Sequence, residues 1–114
     1  MKEEKIKALA LLPMELPKEI ELDNTLEAMQ KFVGGLIECI TLSDTGSEVT
    51  LVCNDEGKLL GLPINRPLYD EDGEMYDILV GTFLVVGLTE DDFGSLPEEM
   101  IEKYTEAFSR GFVI

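Results

Sequence analysis

"YDILVGTFLVVGL", residues 76–88, is too apolar and too rich in β-branched side chains for a surface element. A continuous run of this kind is typical of strands that are covered on both faces. It therefore predicts the central strand, or two central strands, of a sheet. Gly81 lies inside the run and predicts a bulge, a bend or a close approach of two backbones.

Three other segments predict further strands. Residues 18–22, KEIEL, alternate charged and apolar side chains and predict an exposed edge strand, whereas residues 58–62, KLLGL, predict an additional strand of the sheet. Residues 5–12, KIKALALL, precede Pro13 and predict a strand with alternate residues on one face: Ile6, Ala8, Ala10 and Leu12.

A β-hairpin is predicted between these segments. Residues 36–42 and 48–54 have strand composition and flank a turn-forming stretch that contains Gly46. If Gly46 is the middle of an odd-length loop, Cys39 lies opposite Cys53 in the ladder. Free cysteines are usually buried, so both are predicted to be reduced core thiols.

The first predicted helix lies between the edge strand and the hairpin. Asn24 is predicted to cap it, with Glu27 in its first turn, and Gly34 and Gly35 are predicted to end it. Its apolar residues recur at helical spacing: Leu26, Met29, Phe32 and Val33.

A second helix is predicted at the end of the chain. Ser95 and Glu98 form a capping-box pattern, Pro97 falls in the first turn, and Gly111 follows the last turn. The predicted buried face is apolar: Leu96, Met100, Ile101, Tyr104 and Phe108. Together the elements predict one α+β domain over residues 1–114, with an antiparallel-rich sheet of about five to six strands and two helices.

The charge of the chain restricts its partners. Nine Lys and Arg residues stand against 24 Asp and Glu residues, which gives a net charge of −15 over 114 residues. Direct binding to nucleic acid or to an anionic membrane is not expected, because like charges would meet. A basic protein or a cation is the expected attractant. Without a membrane-spanning or signal-peptide pattern, the expected location is the cytoplasm.

The catalytic signatures that a sequence can reveal are not found here. The chain contains no histidine, which excludes the Ser-His and Cys-His nucleophile pairs. Its two cysteines match no metal-ligand spacing. With 24 carboxylates in the chain, many close pairs arise by chance. We therefore predict a protein without enzymatic activity, cofactor or metal site.

Residues 61–74, GLPINRPLYDEDGE, show neither a helical nor a strand period and predict an irregular connection. Arg66 between two prolines has the chemistry to hold a carboxylate or phosphate, or else to form an internal salt bridge with a nearby acid. Asn65 is either a binding residue or a turn former. Asp70 and Asp72 do not fit an EF-hand register, so a weak divalent-ion site and a solvated turn remain as alternatives.

The final predicted helix carries an acidic row. Glu98, Glu102 and Glu106 are four residues apart and therefore share one face at intervals of about 6 Å along the axis. One interpretation is a solubilising face. The other is a carboxylate row that imitates a nucleic-acid backbone for a basic, nucleic-acid-binding protein.

Two segments, residues 23–42 and 57–87, resemble the domain of unknown function 3846 family, small proteins of Gram-positive bacteria and of their phages and other mobile elements. The resemblance covers residues 6–108 and depends on an ordered set of short motifs: Gly34-Gly35, Gly61-Leu62-Pro63, Asn65-Arg66, Asp77-Ile78 and Gly81-Thr82-Phe83. It implies no activity, cofactor or catalytic residue. Because Asn65 and Arg66 belong to the motif, it implies a shared structural or binding feature there.

The genetic setting of the resembled family favours one function. Mobile elements often encode small acidic proteins that blunt DNA-directed defences of the host, and this analogy favours nucleic-acid mimicry. We therefore expect an interaction module that binds a basic, nucleic-acid-handling protein. The alternative is a module that binds a small ligand or a divalent ion through the proline-rich residues 61–77. The oligomeric state is not predicted.

Overall fold

A computed structural model describes residues 4–41, 49–70, 72–89 and 92–110 of the chain. Within these residues the elements, in chain order, are β1 (Lys5–Leu11), β2 (Lys18–Asp23), α1 (Leu26–Val33), β3 (Ile37–Thr41), β4 (Val49–Asn54), β5 (Ile64–Tyr69), β6 (Met75–Val80), β7 (Phe83–Leu88), β8 (Phe93–Gly94) and α2 (Glu98–Arg110).

The main sheet has the strand order β2-β1-β7-β4-β3, and the short β8 pairs with β7. Strands β5 and β6 form a separate two-stranded sheet. Every pairing in both sheets is antiparallel. The predicted α+β fold, with an antiparallel-rich sheet of about five to six strands and two helices, is confirmed. The predicted edge strand at residues 18–22 is also confirmed, because β2 lies at one edge.

The two faces of the main sheet are covered by different elements. One face packs on α1, and its core includes Ala8, Met29 and Leu84. The other face packs on α2 and on the β5–β6 hairpin, and its core includes Leu79, Phe83 and Phe108. The domain is thus built of three layers, with the main sheet in the middle. No helix within the described parts of the chain is long and apolar enough to cross a membrane.

The apolar run at residues 76–88 divides between the two sheets. Gly81 separates β6 from β7 and has a φ of +71°, a backbone conformation that side chains disfavour. A Cβ atom at this position would lie 2.7 Å from Leu62 Cδ1. The predicted bend is confirmed, whereas the close contact of a Cβ atom at Gly81 is with the side chain of Leu62 and not with a second backbone. β7 is the central strand, as predicted, whereas β6 pairs with β5 in the second sheet.

The N-cap of the first helix lies one residue later than predicted. Thr25 is the N-cap, and its Oγ1 accepts from Ala28 N at 3.1 Å. Asn24 is instead buried and donates its Nδ2 to Phe93 O at 2.9 Å, which ties the helix entry to β8. Both residue types are favoured at N-caps, asparagine somewhat more than threonine, and the contact of Asn24 with β8 selects Thr25 here. Gly34 ends the helix at a φ of +85°, as predicted.

The second helix has the predicted buried face: Leu96, Ile101, Tyr104 and Phe108 are buried, and Met100 is half-buried. At the start of this helix, Pro97 O accepts hydrogen bonds from Met100 N and Ile101 N. Ser95 Oγ accepts from Lys7 N at 3.0 Å and so joins the helix approach to β1. The predicted ending at Gly111 lies outside the described residues.

The predicted register of the β3–β4 hairpin is wrong by one residue. Cys39 lies opposite Val52, and Cys53 lies opposite Glu38. Facing residues share a side of the sheet, so this shift places the two thiols on opposite faces. Cys53 is buried in the core on the face of the main sheet that α2 and the β5–β6 hairpin cover, but Cys39 is exposed, which corrects the prediction of two core thiols. The predicted turn at Gly46 lies outside the described residues.

Residues 58–62 do not form the predicted strand. They belong to a turn in which Leu60 N donates to Glu56 O and Leu62 N donates to Gly57 O. Leu59 and Leu60 are exposed, so the apolar composition that suggested a strand does not correspond to burial here.

Candidate functional site

The segment that was predicted to be an irregular connection contains a strand. β5 pairs with β6 through facing residues Ile64↔Val80 and Arg66↔Leu79, which leaves Asn65 as an extra residue on β5. A bulge of this kind turns two neighbouring side chains to the same side. Asn65 and Arg66 consequently both lie inside the protein, with exposed fractions of 6% and 1%.

The Arg66 guanidinium bonds to acceptors from three parts of the chain. Its Nε donates to Phe108 O at 2.9 Å, and its Nη1 donates to Asn65 Oδ1 at 2.6 Å and to Leu12 O at 3.3 Å. Its Nη2 donates to Glu15 O. Burial lowers the pKa of Arg66 from its ordinary value, although an arginine side chain stays protonated. The side chain thus connects β5 to the β1–β2 connection and to α2.

Asn65 completes the same junction. Its Nδ2 donates to Leu11 O at 2.8 Å and to Gly81 O at 2.7 Å, and the Gly81 N donates to Pro63 O at 2.7 Å. Leu62 packs directly on Gly81. These contacts bring three of the short motifs of the sequence, Gly61-Leu62-Pro63, Asn65-Arg66 and Gly81-Thr82-Phe83, to the place where the two sheets meet.

The geometry therefore gives Asn65 and Arg66 a structural role. The described bonds direct their polar atoms toward carbonyl oxygens of the protein and toward each other. Asp77, one of the acids near Arg66 in the sequence, forms an ion pair with Lys58 at 2.7 Å. That bond holds the pKa of the Asp77 carboxyl below its usual value. Ligand binding by Asn65 and Arg66 stays a prediction.

Asp70 and Asp72 lie in the turn that joins β5 to β6. Asp70 Oδ1 accepts from Asp72 N at 2.9 Å and from Glu74 N at 3.0 Å, and Gly73 has a φ of +80°. The Asp70 carboxylate thus orders the turn, which is a common role for this residue type. Among the residues that the structure describes, no group of three or more His, Cys, Asp and Glu side chains is placed to hold a metal ion. Divalent-ion binding by residues 61–77 stays a prediction.

Glu98, Glu102 and Glu106 are all exposed on α2. They lie on the side of the helix away from Ile101 and Phe108, which are buried against the main sheet. The structure therefore brings these three predicted site residues together on one face, and it places Asn65 and Arg66 elsewhere, in the interior.

Sequence reasoning missed an apolar surface on the β5–β6 hairpin. Its outer side carries Pro67, Tyr69, Met75, Tyr76 and Ile78, which we call the hairpin face. Pro67 lies opposite Ile78, and Tyr69 lies opposite Met75. Tyr69, Met75 and Tyr76 have exposed fractions of 56%, 55% and 45%. The available signal was two tyrosines and a methionine beside a turn, but recognising it required knowing that residues 64–69 form a strand.

A small cavity of about 110 Å³ lies between the β3–β4 hairpin and β6. Cys53, Lys58 and Asp77 are among the residues that line it. Burial, with a smaller contribution from the nearby Glu38 carboxylate, raises the pKa of the Cys53 thiol to about 12. A thiol in this state is a poor nucleophile at neutral pH, because only the thiolate reacts.

The two cysteines are therefore expected to differ in alkylation rate. At pH 8 iodoacetamide should label Cys39 at least about a hundredfold faster than Cys53, because Cys39 is exposed and Cys53 is buried with a high pKa. A time course followed by mass spectrometry measures both rates, and Cys39→Ser isolates the slower site. Similar rates at the two thiols in the folded protein would contradict the placement of Cys53.

Comparison with known proteins identifies a family but no individual relative. Searches of curated proteins and of solved structures found no significant match. A family model described as a domain of unknown function, DUF3846, matches residues 6–109. The matched region extends from β1 to the last turn of α2 and includes the hairpin and the junction formed by Asn65 and Arg66. The chain therefore belongs to the DUF3846 family.

Proposed function

We propose that this protein is a non-enzymatic, cytoplasmic interaction module that binds a basic, nucleic-acid-handling protein through the acidic side of α2. The observation that carries the proposal is the exposed row of Glu98, Glu102 and Glu106 on a helix whose other side is buried in the core. The proposed role of the row is to imitate the phosphates of a nucleic-acid backbone.

The attachment of α2 to the core supports this role. Ile101, Tyr104 and Phe108 fix the helix on the main sheet, and the ring of Phe108 contacts that of Phe83 edge to face at a centroid distance of 5.6 Å. A carboxylate row on a fixed helix is organised before binding, so little conformational entropy is lost when a partner docks.

The charges of the row also favour a binding role over a purely structural one. Glutamates four residues apart repel each other and destabilise a helix by a few tenths of a kcal/mol per pair. A cationic partner would relieve this repulsion. The net charge of −15 creates a field that attracts basic proteins over distances beyond direct contact. Association is accordingly expected to be fast at low salt and to weaken as salt increases.

Charge reversal tests the proposal. The variant Glu98→Lys/Glu102→Lys/Glu106→Lys is expected to bind a basic partner at least about a hundredfold more weakly and with a smaller salt dependence, because three attractive contacts become repulsive. Isothermal titration calorimetry at two or more salt concentrations measures both effects on a partner recovered from a nuclease-treated lysate.

A matched control separates the site from the overall charge. Glu27, Glu38 and Glu56 are exposed and lie outside α2. Reversing these three to lysine changes the net charge by the same six units, from −15 to −9, as reversing the α2 row. The control should keep most of the affinity. Equal losses in both variants would show that net charge alone governs binding and would contradict a site on α2.

A further inference from the structure

The hairpin face is an apolar surface beside a concentration of acids. The inner side of the hairpin is used by the core, where Leu68 and Leu79 are buried. On the outer side, Tyr69, Met75 and Tyr76 are about half exposed, although each could bury a large apolar area. Single exposed apolar residues are normal on protein surfaces, whereas neighbouring ones indicate a contact surface.

The composition of the hairpin face matches the centre of a protein interface. Tyrosine and methionine are enriched in such centres, and tyrosine loses little conformational entropy on binding. A second bulge contributes to this arrangement. Leu68 faces Asp77 and Tyr69 faces Met75, so Tyr76 is an extra residue that β6 presents at this point. Met75, Tyr76 and Ile78 also border an open surface groove together with Lys58.

The acidic turn selects the kind of partner. Asp70, Asp72 and Glu74 directly join the two strands of the hairpin, and Asp72 and Glu74 are exposed. Asp70 Oδ1 accepts from Asp72 N and from Glu74 N, and these bonds position Asp72 and Glu74 at the end of the hairpin. Carboxylates at the border of an apolar surface favour a basic occupant. They disfavour a second copy of this chain, because each copy carries a net charge of −15.

We infer that the hairpin face is a docking site for a basic segment of a partner protein that inserts an apolar side chain between Tyr69, Met75 and Tyr76. The inference rests on the proposed function and extends it, because the hairpin and α2 cover the same face of the main sheet and belong to one core cluster. The turn carboxylates attract the basic groups of the segment, and the apolar side chain supplies the affinity that charge alone does not give.

Two peptides test the inference: a lysine-rich peptide interspersed with leucines, and the same peptide with serine in place of every leucine. Titrations followed by NMR of the labelled protein give both affinities and the affected residues. The leucine peptide is expected to bind at least about tenfold more tightly than the serine peptide and to shift the resonances of Tyr69, Met75 and Tyr76. Equal affinities would overturn the inference.

Three variants identify which residues cause the difference in affinity between the two peptides. Tyr69→Ser/Tyr76→Ser should reduce the affinity for the leucine peptide to that for the serine peptide. Leu26→Ser/Leu36→Ser removes two exposed leucines elsewhere and should leave the difference unchanged. Thermal melting checks that each variant is folded. The α2 charge-reversal variant should bind both peptides more weakly by a similar factor and preserve the ratio of their affinities.

The possible failures point to different conclusions. If α2 charge reversal weakens binding but leucine and serine peptides bind equally, the acidic side of α2 is supported and the hairpin site is overturned. If α2 charge reversal has no effect on binding and the leucine peptide still binds more tightly than the serine peptide, the hairpin site stands and the site on α2 fails. A dimer detected by sedimentation that Tyr69→Ser/Tyr76→Ser dissociates would assign the surface to self-association and overturn the inference.

Discussion

Replacing Arg66 with alanine is expected to lower the free energy of unfolding by about 3–5 kcal/mol, as measured by urea denaturation. The substitution removes the donors for Phe108 O, Asn65 Oδ1 and Leu12 O, and it leaves a cavity at a side chain that is only 1% exposed. A buried acceptor without a donor costs about 1–3 kcal/mol, and such costs are not simply additive. The loss is a large share of the total stability of a typical domain, which is about 5–15 kcal/mol.

Two further substitutions distinguish the bonds of Arg66 from its volume. Arg66→Met fills most of the space but donates no hydrogen bond, so it should lose most of the same stability. Arg66→Lys keeps the charge but cannot reproduce the planar fork of donors, and it should lose roughly half as much. If the free energy of unfolding of the Arg66→Met variant is close to that of the natural protein, the hydrogen bonds of Arg66 contribute little to stability.

Replacing Gly87 with alanine is expected to destabilise the protein by about 3 kcal/mol or more. Gly87 lies in β7 opposite Gly94 of β8. A Cβ atom there would overlap Ser95 O and would lie 3.0 Å from Ser95 C and 3.2 Å from Gly94 O. Backbone atoms cannot rotate away as a flexible side chain can. The added methyl group should therefore displace β8 and the approach to α2.

Gly73→Ala is the matched control for this substitution. Gly73 has a φ of +80°, but no atom lies within 4 Å of the position of a Cβ atom. The expected cost is therefore only that of the left-handed conformation, about 1–2 kcal/mol. Urea denaturation measures both variants. A smaller loss for Gly87→Ala than for Gly73→Ala would contradict the described packing of β8 on β7.

The elements that the sequence predicted well are those with a strong local signal. The apolar run at residues 76–88 predicted a central strand and a break at Gly81, because burial on both faces and a glycine inside the run are visible in composition alone. The apolar periodicity of residues 96–108 likewise predicted which face of α2 is buried. In both segments the local preference and the tertiary packing agree.

Details that depend on distant contacts were not predictable. Asn24 and Thr25 are both good caps, and the choice depends on a bond from Asn24 to Phe93 that is 69 residues away. The β3–β4 register differs from the prediction by one residue, which reverses the sides of Cys39 and Cys53. No local pattern fixes either feature.

The candidate site was predictable only in part. The spacing of Glu98, Glu102 and Glu106 predicted a shared face, since helical geometry alone determines it. Residues 61–74 predict no strand because a bulge and Pro67 interrupt the alternation of β5. That error concealed both the burial of Arg66 and the exposure of Tyr69 and Tyr76. A bulge places consecutive side chains on one side, so no two-residue period remains to be detected.

The most direct test of the proposed function is a competition experiment. The protein is immobilised, exposed to a nuclease-treated cell lysate and washed, and the bound proteins are then challenged with duplex DNA or with increasing salt. Nucleic-acid mimicry predicts that a basic, nucleic-acid-handling protein is retained, that moderate salt releases it and that added DNA displaces it. An eluate without any such protein, or a captured protein that DNA does not displace, would contradict the proposal.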